Sequence, residues 1–215
     1  MPTAFYRFIL AVALLLPFAA HASDAGDFVA ADSGQQAKLL EAWAAQPDPA
    51  RVELINSLQQ GQITVDGETK TLRLNNRLRG LVDTALASHQ LLAADAKLRL
   101  GAAQHLQKSA KPAQLKFLDR QLASETNADV HTALSLALAN LQLVDGDPAV
   151  RLAAVRLLGE TGDPLARTRL ETLLDPAVET DAGVRTAAET SLAQVKRKLL
   201  IGEILGQAFS GLSLG

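Results

Sequence analysis

The chain has 215 residues, 48% of them hydrophobic but only 4% aromatic, so its core must be built from Leu, Ala and Val. That composition suits closely spaced helices and suits sheets poorly. A formal net charge of −2 argues against the basic stripe that a phosphate backbone requires, so no nucleic-acid partner is expected. The absence of cysteine removes disulfides, thiolate zinc sites and a cysteine nucleophile together.

Residues 1–22 read as a secretory signal peptide. Arg7 lies in a short polar start, FILAVALLLPFAA supplies 13 mostly apolar residues, and Ala20-His21-Ala22 forms a small-residue cleavage site ahead of Ser23. A membrane-spanning helix needs about 20 apolar residues, and this run is broken at Pro17. Export is expected, to a periplasm.

From 23 to 94 the pattern is helical but irregular. QQAKLLEAWAA (35–45) places Leu39, Leu40 and Trp43 on one helical face, which makes Trp43 a core residue rather than a ligand platform. PDPA (47–50) breaks that helix, and ARVELINSLQQ restarts one with Val52, Ile55 and Leu58 in phase. The period then changes to two: Ile63 and Val65 alternate with polar residues, Asp66-Gly67 is a turn signal, and 62–74 is read as a small hairpin or extended loop. A helix resumes near Asn75 with Leu78, Leu81, Val82 and Leu86 on one face.

From about Asp95 one unit recurs. Val150-Arg151 and Val184-Arg185, with Leu98-Arg99 and Val130-His131 as weaker copies, each head an Ala-rich apolar run. Helices are predicted at 95–108, 112–123, 128–143, 148–159, 164–174 and 181–200. Short joints carrying Asp147-Pro148 and Asp163-Pro164 offer a capping acid with proline at the first helical position. Such joints fold successive helices back as antiparallel neighbours. A recurring helical unit of this kind predicts a stacked array, and arrays serve mainly as binding surfaces or spacers. The expected fold is therefore all-α, an α-solenoid of helical hairpins over 95–200, preceded by the irregular region 23–94.

The stretches DPAVRLAAVRLLGETGDPLA (147–166) and DAGVRTAAETSLAQV (181–195) resemble HEAT-like repeats. The resemblance implies that Asp147 and Asp181 cap helices, that Val150 and Val184 pack inward, and that Arg151 and Arg185 bond to neighbouring turns. At His131 the arginine is replaced, which weakens the match there.

The ending has a different character. After Lys196-Arg197-Lys198 the segment LLIGEILGQAFSGLSLG (199–215) is apolar and rich in Gly and Ser, with Glu203 its one charge, unlike the polar cap that closes a soluble array. GEILGQAFSGLSLG resembles the entry to the first membrane helix of branched-chain-amino-acid-type ABC permeases. LRLNNRLRGLVDTAL (72–86) and KPAQLKFLDRQLA (111–123) extend the resemblance to the N-terminal extension of the urea ABC transporter permease.

That family implies urea or a similar small amide as cargo. It implies as partners a solute-binding protein, a second permease and ATPases, and a location at the periplasmic face of a bacterial inner membrane. It also implies that 201–215 begins a transmembrane segment whose continuation is missing. The basic cluster Lys196, Arg197 and Lys198 has two readings, a solvated helix end complementing the dipole and a membrane-proximal anchor on lipid phosphates. The preference for basic residues on the cytoplasmic side of a membrane disfavours the second mildly.

Little in the sequence points to chemistry. His21 lies in the signal peptide, while His89, His105 and His131 fall on separate predicted helices without the convergent ligands of a metal site. No nucleophile elbow or phosphate loop appears, GETGD (159–163) being a helix stop followed by a cap. Asp95, Asp119 and Glu125 are read as a solvated charged surface. The expectation is a non-catalytic domain without metal or cofactor. The alternatives are a free periplasmic adaptor that binds a protein or peptide, and an enzyme built on helical repeats, for which the required polar cluster in a groove is not evident.

Overall fold

The computed structural model describes residues 24–213, with side chains as far as Gln207; the segment read as a signal peptide lies outside them. The described chain is mostly helical with one small two-stranded antiparallel sheet. It divides into two compact units, Met1–Ala102 and Ala103–Gly215. The division falls inside a helix, whereas the repeat pattern places a boundary at 94/95.

The first unit contains α1 (24–30), α2 (Ser33–Ala45), a 3₁₀ turn (Pro49–Arg51), α3 (Val52–Gln59), β1 (Gln62–Val65), β2 (Glu68–Thr71) and α4 (Asn76–Gln90). A reciprocal cap opens α2: Asp32 Oδ1 accepts from the Gly34 and Gln35 amides, and Gln35 Oε1 accepts from the Asp32 amide. Asn75 caps α4 by accepting from the Leu78 amide. Helix α4 packs on α2 and α3, and α3 on β1. Between them lie Phe28, Leu40, Ile55, Leu58, Ile63 and Val82, all fully buried. Trp43 belongs to this core, stacked on Phe28 with ring centroids 5.8 Å apart and with the Arg51 guanidinium 5.9 Å from its own ring centre.

The hairpin forms as its alternation suggests, but its paired strands end at Thr71. Asp66 and Gly67 both take positive φ, 52° and 82°, the two-residue turn whose twist matches that of the strands. Ile63 points into the core while every residue of β2 is exposed.

Helix α5 (Ala96–Ser109) crosses the division between the units. The second unit continues with a 3₁₀ turn (Pro112–Gln114), α6 (Leu115–Ser124), α7 (Ala128–Gln142), α8 (Pro148–Gly159), α9 (Pro164–Thr172) and α10 (Ala182–Ser213). Helix α8 is central: it packs on α7, α9 and α10 through Ala154, Val155 and Leu158, all fully buried. Small side chains bring α8 and α10 together. A Cβ placed on Gly159 would lie 2.8 Å from Ser191 Cβ.

Helix α10 passes through residue 200, where the sequence suggests an end, and continues to Ser213. The described part of the apolar segment, 199–213, is thus helical and continuous with α10. Among the described residues no helix is long and apolar enough to cross a membrane.

Candidate functional site

Four helices begin with one arrangement, built on a capping residue and the residue four places later. Asp95 accepts from the Lys97 amide at 2.9 Å, Asp147 from Ala149 at 2.8 Å and Asp181 from Val184 at 2.9 Å. Asn127 accepts from both Asp129 and Val130 at 3.1 Å. These bonds satisfy amides that the first helical turn leaves without partners.

At three of the four starts the residue four places on is an arginine whose Nη1 turns back over the cap. It donates to two carbonyls, five and six residues upstream. Arg99 reaches Ala93 at 2.9 Å and Ala94 at 2.8 Å; Arg151 reaches Asp145 at 2.9 Å and Gly146 at 3.2 Å; Arg185 reaches Glu179 and Thr180, both at 2.8 Å. Guanidinium carries five donors in a rigid fork, so one end can brace a loop while the other stays available. His131 holds the fourth position and lacks that reach.

The apolar neighbours differ from copy to copy. Val130 and Val184 are buried, Val150 is half-buried and Leu98 is 49% exposed.

The available end of Arg151 is used. Its Nε donates to Glu179 Oε2 at 2.7 Å and its Nη2 to Oε1 at 2.8 Å, a bidentate pair with the Glu179 side chain 3% exposed. Glu179 Oε1 also accepts from the Asp181 amide at 2.8 Å, so one carboxylate links the loop before α8 to the cap of α10. The hydrogen bonds from Arg151 hold the Glu179 carboxyl below its ordinary range, and burial opposes them less strongly. In return the Glu179 carboxylate raises the Arg151 pKa.

Glu179 is absent from the residues that the sequence singled out, although a local signal exists. An acid stands two residues before three of the four caps and accepts the cap's amide: Glu125 from Asn127 at 2.8 Å, Asp145 from Asp147 at 2.9 Å, and Glu179. A shortened relative of the arrangement was also missed. Asp48 accepts from Ala50 at 3.0 Å, and Arg51, three residues after that cap, donates to Asp24 Oδ2 at 2.6 Å.

The basic cluster is partly occupied within the unit. Lys196 pairs with Glu171 at 3.3 Å, both about half exposed, an exposed pair worth about 0–1 kcal/mol. Lys198 Nζ donates to the Glu160 carbonyl at 2.5 Å, at the end of α8, while Arg197 is exposed. One turn further along α10, Leu200, Ile201, Ile204 and Leu205 are each 50–56% exposed.

The other candidates stay apart from any reactive constellation. Asp95 serves as a cap, Asp119 is exposed, and Glu125 accepts the Asn127 amide. Asp163, at the end of GETGD, caps α9 by accepting from Leu165 at 2.7 Å. His89, His105 and His131 sit on α4, α5 and α7, and among the described residues no three His, Asp or Glu side chains gather in a way that could hold a metal ion. An open depression of about 470 Å³ in the first unit is lined by Asp27, Ala30, Ala31, Gln35, Lys38 and Leu39. Its polar lining residues, Asp27, Gln35 and Lys38, are all exposed.

No protein-family model matches the chain, and no curated protein matches it significantly.

Proposed function

We propose that the chain is a non-catalytic scaffold of HEAT-like hairpins on the exported side of a bacterial inner membrane, belonging to a urea-type ABC permease. Its role is structural, a ledge beside the pore that docks the solute-binding protein or another subunit. The observation that carries the reading is the recurring braced helix start. Through Nη1, Arg99, Arg151 and Arg185 each donate to two backbone carbonyls of their own loops, which stiffens the joints of a helical stack. The exposed apolar residues of α10 between 200 and 205 support a membrane-directed end, in keeping with the resemblance of 202–215 to a permease entry. The partial engagement of Lys196 and Lys198 within the unit weighs towards a helix clamp and away from a dedicated lipid anchor.

Uptake of labelled urea by host cells tests the reading. Deleting the coding region for 24–200 in frame should reduce uptake while the membrane ATPase level stays constant; unchanged uptake of urea and of small amides would refute it.

The second reading is a free periplasmic adaptor that binds a protein or peptide partner. Cell fractionation separates the two, since an adaptor is released with the soluble periplasm and a permease domain stays with the membrane after carbonate washing.

A further inference from the structure

His89 lies at the end of α4 inside the first unit, with 2% of its surface exposed. Its Nδ1 stands 2.7 Å from the Ala85 carbonyl oxygen one turn back, a contact that requires the proton on Nδ1. In the neutral ring Nε2 is then a bare acceptor, and among the described residues it is the one buried side-chain polar atom without a partner. A bare acceptor is a tolerable defect. Protonated, the same atom would be a buried N–H with nothing to receive it, on a ring carrying full charge.

The surroundings offer little to accommodate that charge. Helix α2 buries Ala37, Leu40, Trp43 and Ala44 and α3 buries Ile55 and Leu58, none of them titratable. The charged groups that bear on the ring come from the segment joining those helices, where Arg51 opposes a second positive charge and Asp48 favours it. Asp48 is already used as a helix cap.

We propose that His89 is an acid-sensitive latch, holding the first unit closed while its ring is neutral and loosening it when Nε2 takes a proton. This device is independent of the scaffold reading. Burial, the largest influence, lowers the folded-state pKa below the ordinary 6.5. The unfolded chain therefore binds the proton more readily than the folded one. The stabilising contribution is complete above about pH 6.5 and is lost as pH falls below it, with the unfolding constant rising by up to about tenfold per pH unit.

The chain contains a single tryptophan, Trp43, in the same core, so its emission reports the first unit directly. Guanidinium titrations of the full chain followed by that emission should show the midpoint falling between pH 7.5 and pH 5.0. In His89→Gln, which stays neutral throughout, this dependence should disappear. Proton NMR of the histidine rings in the unaltered chain provides a second measurement that survives if the variant does not fold. It should find His89 titrating below 6.5, with His21→Gln, His105→Gln and His131→Gln assigning the other three signals. A midpoint that does not move with pH, an equal slope in His89→Gln, or a His89 ring titrating at or above 6.5 would each overturn the proposal.

Discussion

The guanidinium of Arg151 and the carboxylate of Glu179, 28 residues apart in the chain, meet in a two-bond grip at 2.7 and 2.8 Å. The same guanidinium holds the Asp145 and Gly146 carbonyls, so the loops leading into α8 and α10 are fastened through one side chain. Arg185 braces only its own loop. This difference between two otherwise matching positions leads to the first expectation.

Arg151→Lys keeps the charge but replaces a rigid fork with a flexible ammonium that cannot span a carboxylate and two carbonyls together. Thermal unfolding should occur at a lower temperature than in the unaltered chain, and by a larger margin than for Arg185→Lys. Amide exchange at Asp147 and Asp181 should accelerate in Arg151→Lys. Equal shifts in the two variants would mean that the grip on Glu179 adds nothing.

Acid should act on this pair in its own window. Because the folded-state pKa of Glu179 is depressed below the ordinary 4.5, its contribution is present above that value and declines as pH falls through the folded pKa. Denaturant midpoints measured from pH 7 down to pH 3 should show an acid limb below about 4.5 that is shallower in Glu179→Gln. The histidine window above pH 5 should be unchanged by that substitution.

The close approach of α8 and α10 makes Gly159 sensitive to a single methyl group. Its Cβ would lie 2.8 Å from both Ser191 Cβ and Oγ and 2.9 Å from Gln194 Oε1. Gly159→Ala should cost about 1–3 kcal/mol by overpacking, outweighing the gain of at most about 1 kcal/mol in helix propensity. Chemical denaturation provides the measurement, and adding Ser191→Gly should recover part of the loss.

The fourth helix start is an incomplete copy that can be completed. His131 is half-buried, and its backbone amide donates to the Asn127 carbonyl as at the other three starts. In His131→Arg the new guanidinium should reach the Glu125 and Thr126 carbonyls, six and five residues upstream. A gain of about 0.5–1.5 kcal/mol is expected from hydrogen bonds of this kind. A destabilised variant would show that the brace depends on more than the arginine.

Most helix starts could be read from the linear chain because their causes lie within a few residues. Asn75, Asn127, Asp147, Asp163 and Asp181 cap the helices that follow them, and Asp66-Gly67 turns the hairpin. Such signals need no distant partner. The paired strands stop at Thr71, short of the extended stretch to 74, because a pattern of alternation does not reveal how far two strands will bond. At the C-terminus the change in composition suggests a new element, yet α10 continues unbroken through Gly202 and Gly206, although each glycine weakens a helix interior by about 1 kcal/mol relative to alanine.

Composition, period and caps thus established a mainly helical chain and located its joints, each being a local choice of backbone conformation. Which side chains would act on one another was settled only when the chain returned on itself. Arg51 found Asp24 across 27 residues, Arg151 found Glu179 across 28, and Lys198 found the end of α8 across 38. Burial likewise separated the histidines: His89 differs from His105 and His131 in being enclosed by other helices, with Nε2 left unpartnered. Local sequence cannot specify such contacts, because they depend on the packing of helices remote in the chain.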